Sequence, residues 1–72
     1  MINTHGRGPA ITAVCRYFEF EHLPPHLQAV SRIFHDAAED VLHLVSEDSE
    51  QLKLALQHLV DAKDAAVRAA LP

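Results

Sequence analysis

The sequence predicts an all-α fold: an antiparallel two-helix hairpin with an extended N-terminal arm, assembled with copies of itself into a homo-oligomeric helical bundle. Three observations carry this. Apolar residues recur at three- and four-residue spacing over two long stretches, the period of a helix. A double proline, Pro24-Pro25, opens the first stretch, and a short polar break, Ser46-Glu47-Asp48-Ser49, separates it from the second. At 72 residues the chain holds one domain at most, and a single cysteine leaves no internal disulfide to staple it.

Residues 1–13 contain both glycines and one proline and show no periodicity, so they read as a flexible N-terminal arm. The hairpin domain spans 14–72. Its first residues, Val14 to Phe20, alternate in a way that would suit a strand, but a chain this short offers no partner strand. They read instead as an extended lead-in whose aromatic rings dock on the helices. Two prolines force an extended backbone before them, and Pro25 suits a first helical turn, where its missing N–H is no loss. The first helix is expected over about 25–45, with Leu27, Val30, Phe34, Ala37, Val41 and Leu44 as its apolar stripe. Ser46, Asp48 and Ser49 are good N-caps, and Asp48 with Gln51 approximates a capping box for the second helix, expected over about 49–71. That helix carries Leu52, Leu56, Leu59, Ala66 and Ala70 on one stripe and Val60, Val67 and Leu71 on a neighbouring one. A connection this short returns the chain antiparallel.

Two helices share one seam, and a single seam buries too little to order a chain of this length. The second stripe, beside a run of alanines from Ala62 to Ala70, supplies a smooth surface for another copy. Self-association is therefore expected.

A net charge of −4 argues against binding DNA or RNA polymers, whose phosphates demand a basic surface, but leaves room for a small anion held by a few local cations. No stretch is long and apolar enough to span a membrane, and the first fifteen residues lack the apolar core of a signal peptide. With one unpaired cysteine, the reading is a cytoplasmic protein.

Six histidines invite a metal reading. His35, Glu39 and His43 share a helix face, and His58 or Cys15 would have to complete a site, yet no metal-ligand motif occurs; no metal and no cofactor are expected. His35-Asp36 is the dipeptide of metal phosphohydrolases, but the further ligands of such a site are missing. Arg16 beside Cys15 would lower a thiol pKa, although a structural thiol is the simpler reading. With no Gly-rich phosphate loop either, an enzyme is not expected. What remains is a binding constellation. Tyr17 and Phe20 offer aromatic faces for a base, while Arg32, His35, Lys63 and Arg68 offer donors for phosphate. The plainer reading of these residues is core plugs for the phenylalanines and solvated surface for the cations.

The stretch Ser31-Arg32-Ile33-Phe34-His35-Asp36-Ala37-Ala38-Glu39-Asp40-Val41, with Leu56-Gln57-His58-Leu59 and the ending Ala66 to Pro72, resembles the phage anti-CBASS cyclic-oligonucleotide sponges. These share their hairpin with sponges aimed at the Thoeris signal. His22-Leu23-Pro24-Pro25-His26-Leu27-Gln28 and Ala62 to Ala69 also resemble small actinobacteriophage proteins. The likeness covers roughly residues 17–72. It implies a homo-oligomer, often a hexamer, that holds a cyclic di- or trinucleotide between protomers and sequesters it without cleavage. It places a base-stacking aromatic at Phe20 or Tyr17 and a phosphate-binding arginine at Arg68. The family's usual lysine in the first helix is replaced here by Phe34 and His35, so His35 or Arg32 would have to take its part, and an ADP-ribose derivative stays open as ligand. The alternative from a different class is a small helical interaction or assembly protein that binds a host or phage protein through an apolar helix face.

Overall fold

Pro9 is the first sign that the N-terminal segment is built rather than loose. It takes the first turn of a helix, α1 (Pro9–Cys15), which runs into a single 3-10 turn at Arg16–Phe18. Two longer helices follow, α2 (Pro25–Leu44) and α3 (Glu50–Ala69). The computed structural model describes all residues, Met1–Pro72. The architecture is an all-α three-helix bundle in which α2 and α3 pack in a hairpin-like manner and the N-terminal segment lies against both. No helix is long and apolar enough to cross a membrane.

The two long helices match the sequence reading to within two residues at each end. Pro24 caps α2, and its carbonyl accepts from Leu27 and Gln28, both at 2.9 Å. At α3 the cap is Ser49, whose Oγ accepts from the Leu52 N–H at 3.2 Å, in place of the expected Asp48–Gln51 box.

Residues 9–18, expected as arm and extended lead-in, are helical. Ile11, Val14, Cys15 and Phe18 fall at helical spacing and are all buried, together with Ile2. Forming α1 lets this run point one stripe at the hairpin, which an extended chain would turn alternately toward solvent. Gly6, at φ +81, supplies the left-handed residue of the turn that precedes α1, closed by Arg7 N–H donating to the Thr4 carbonyl at 3.0 Å.

The segment is held by Arg7. Its guanidinium donates from Nη2 to the carbonyls of Leu42 (2.6 Å) and Val45 (2.9 Å), and from Nη1 to the Ser46 carbonyl (3.2 Å) and Asp48 Oδ1 (2.9 Å). The terminal carbonyls of α2 lack partners along the helix, and a cation suits that end of its dipole. Asp48 completes the clamp, with Oδ2 accepting from the Gly8 N–H at 2.6 Å at the start of α1.

The core differs from the expected stripes. Its centre is Phe18, Ala38 and Leu56, ringed by Ile11, Val14, Cys15, Leu42 and Leu52. On α2 the buried line is Leu27, Ser31, His35, Ala38 and Leu42. The predicted stripe from Val30 to Val41 is only half-buried beyond Leu27, and Leu44 is exposed. The helix turns a partly polar side inward because the N-terminal segment packs there, a layer that a two-helix reading does not contain. On α3, Val60, assigned to a second copy by the sequence reading, packs against this core.

Ser31 carries a testable consequence. Its hydroxyl is buried without a partner, which stands as an uncompensated loss of hydration. Ser31→Ala removes that group and raises helix propensity, so thermal unfolding should show a gain of about 1 kcal/mol. A loss of stability would mean that the hydroxyl is satisfied in solution.

Candidate functional site

The surface between the N-terminal segment and α3 holds two adjoining hollows. One, of about 460 Å³, is lined by Ala10, Ala13 and Val14 from α1 and by Lys53, Gln57, Val60 and Asp61 from α3. The other, of about 340 Å³, is lined by Arg16, Glu19, His22 and Leu23 and by Lys63, Asp64, Val67 and Arg68. Tyr17 lines both, standing 63% exposed at their junction.

Local structure explains why these residues meet. The tight 3-10 turn after α1 brings Arg16 and Tyr17 out toward α3 while Phe18 plugs the core. The loop behind them is held by Gln28, whose Nε2 donates to the carbonyls of Leu23 (2.7 Å) and Glu21 (3.2 Å). On α3, positions 60, 64, 67 and 68 share the side that faces the N-terminal segment.

The second hollow gathers Arg16, Lys63 and Arg68, half of the six lysines and arginines in the chain. Against Glu19 and Asp64 they leave a local charge of +1, with His22 neutral, in a protein whose net charge is −4. The Lys63 stem is largely buried and its Nζ lies 2.6 Å from Asp64 Oδ1. Arg68 and Arg16 are exposed and make no ion pair, so both guanidiniums are free to take an anion.

Of the six residues singled out from the sequence, the structure brings Tyr17, Lys63 and Arg68 together in this cleft. Phe20 and His35 lie elsewhere and face each other, with ring centroids 5.2 Å apart and planes at 84°. His35 is buried; its Nδ1 sits 2.9 Å from Asp36 Oδ1 and its Nε2 has no partner. Arg32 is exposed on α2, with Nε 3.8 Å from Asp36 Oδ2. Among the cleft residues that the sequence reading did not assign to the site are Arg16, His22 and Gln57. Arg16 directly precedes Tyr17, and placing α1 would have turned both toward α3.

The other chemistry raised by the sequence is placed as follows. Donor atoms of His35, Asp36 and Glu39 lie within 4.8 Å of one another, but they come from one stretch of one helix, and Asp36 already engages His35 and Arg32. Zinc in a structural site takes four ligands, and neither His43 nor Cys15 joins these three. Cys15 is buried in the core, and burial pushes its thiol pKa up, Asp48 adding to the rise and Arg7 opposing it. It packs as a small apolar side chain rather than as a thiolate.

No protein-family model matches the chain, and no curated protein or solved structure does either.

Proposed function

We propose that this protein binds a small nucleotide signal in the cleft beside Tyr17 and sequesters it without cleaving it, as the phage anti-defence sponges it resembles do. The observation that carries the reading is the position of Tyr17. An exposed aromatic ring stands between an apolar hollow and a cationic one. A nucleotide has the same two parts. Its base stacks on Tyr17 over the Ala10, Ala13 and Val14 surface, where the Gln57 amide reads its polar edge, and its phosphate meets Arg16, Lys63 and Arg68.

Size refines the ligand. Small-molecule sites run from roughly 300 to 1,000 Å³, and the cationic hollow lies at the low end of that range. One chain's cleft therefore suits about one nucleotide unit. A cyclic di- or trinucleotide, or an ADP-ribose derivative, would extend along both hollows or meet a second copy laid across them. Sequestration asks only for stacking and phosphate donors, and tight binding lowers the free signal by mass action.

The test is calorimetric titration of the parent, Lys63→Ala and Arg68→Ala with cyclic di- and trinucleotides and ADP-ribose derivatives. Each charge-assisted phosphate contact contributes about 1.5–3 kcal/mol, so each variant should weaken binding by roughly ten- to a hundredfold. Arg68→Ala should keep the parent's thermal midpoint to within a few degrees, because the Arg68 side chain is exposed and makes no ion pair. Unchanged affinity in both variants would remove the phosphate assignment.

A further inference from the structure

We infer that the base held beside Tyr17 is guanine, read by Asp61 and Lys53 of α3; the inference rests on the nucleotide reading of the cleft. The apolar hollow, at about 460 Å³, is the larger of the two and suits a two-ring purine. Along its α3 wall stand Lys53, Gln57 and Asp61, each four residues after the last, so they form one ridge about 12 Å long. That ridge is polar from end to end, whereas the α1 residues of the same hollow are apolar. A flat base resting on the apolar side and on Tyr17 turns its polar edge to the ridge. Neither Lys53 nor Asp61 is in an ion pair, so a donor and an acceptor stand open at its two ends.

The chemistry of those ends selects the base. A carboxylate only accepts hydrogen bonds and an ammonium only donates them. Guanine presents two parallel donors, N1–H and its C2 amino group, which match the two oxygens of a carboxylate. Beside them it carries an acceptor, O6, for the ammonium on its flexible stem. The Gln57 amide, between Lys53 and Asp61, both donates and accepts and suits either part of the edge. Adenine and cytosine set a single amino group beside a ring-nitrogen acceptor, whose lone pair faces the second carboxylate oxygen. Uracil places its one N–H between two carbonyls, and both repel a carboxylate. Asp61 is exposed, so the expected preference for guanine is roughly ten- to a hundredfold rather than absolute.

Calorimetric titration of the parent and Asp61→Asn with the cyclic dinucleotides of guanine, hypoxanthine and adenine tests this. Hypoxanthine keeps O6 and N1–H but lacks the amino group, so it removes one of the two donors. The parent should bind the guanine ligand roughly tenfold more tightly than the hypoxanthine one, and more tightly still than the adenine one. In Asp61→Asn all three ligands gain from the lost negative charge, so the ratios decide, and the guanine-to-hypoxanthine ratio should approach unity. The exposed, unpaired position of Asp61 lets the variant keep the parent's thermal midpoint. Adenine bound as tightly as guanine, or a guanine preference that persists in Asp61→Asn, overturns the inference and leaves the nucleotide cleft standing. No binding of any of the three overturns it too; if ADP-ribose derivatives also fail to bind, the nucleotide reading of the cleft falls with it.

Discussion

Phe18→Ala is expected to lower stability by about 3–5 kcal/mol, the largest effect of any single truncation in this chain. Phe18 is fully buried at the point where the N-terminal segment, α2 and α3 meet, and only 12 of 72 residues are buried at all. A core so small cannot close over the cavity left by a lost ring, because few neighbours are free to move in. For a domain of this size such a loss moves the thermal midpoint down by roughly 15 °C or more. Circular dichroism melts of Phe18→Ala and Tyr17→Ala make the comparison. Tyr17 is one residue away but exposed, and its truncation should cost less than about 1 kcal/mol. Similar losses in the two variants would mean that the 3-10 turn does not hold Phe18 in the core.

The second large effect is expected at Arg7. Its guanidinium makes four hydrogen bonds to the end of α2 and the loop after it, and its side chain is only 14% exposed. Arg7→Ala leaves the Leu42 and Val45 carbonyls without their partner and should destabilise by about 2–3 kcal/mol, read as the shift in urea midpoint. Arg7→Lys should recover less than half of this, since a single ammonium cannot span the forked arrangement. The clamp also gives the fold an acid-sensitive joint. The Gly8 N–H and the Arg7 guanidinium both donate to Asp48 and hold its carboxyl below its ordinary value of 3.8. A carboxyl whose folded pKa is depressed stabilises the fold above its ordinary value and loses that contribution as pH falls through the folded one. The parent should therefore weaken on acidification below about pH 4, and Asp48→Asn should flatten that limb of the profile. An acid limb unchanged in Asp48→Asn would assign it to other carboxylates.

The long helices were legible because their signals are local. Pro24-Pro25 starts one, Ser49 caps the other, and the apolar period runs for twenty residues in each. The N-terminal helix was not, for two physical reasons. Gly6, Gly8 and Pro9 read as breakers although Pro9 is an N1 proline, and a seven-residue helix repeats its period too few times to stand out. Ile11, Val14, Cys15 and Phe18 were nevertheless at helical spacing, and that was the available signal. Missing this layer also misplaced the inward side of α2, where Ser31 and His35 are buried and no hydrophobicity pattern points to them.

The candidate site was legible by residue type more than by position. Tyr17, Lys63 and Arg68 could be named from their chemistry, and they meet because α1 delivers the aromatic to the side of α3 that carries the cations. Phe20 and His35 carry the same chemistry but pack against each other, away from the cleft. Arg16 becomes visible as a member only once residues 9–18 are read as helix. Where Arg68 points depends on the helical phase of α3, which the periodicity of that helix does contain.

We propose that the cleft at Tyr17 holds a nucleotide and releases it unchanged. The most direct test is to incubate the purified protein with cyclic di- and trinucleotides and ADP-ribose derivatives, remove the free ligand, denature by heat, and analyse what is released by chromatography. At least one nucleotide should be depleted from solution and recovered intact, with depletion reduced in Arg68→Ala. Recovery of a cleaved nucleotide, or no depletion of any, would contradict the account.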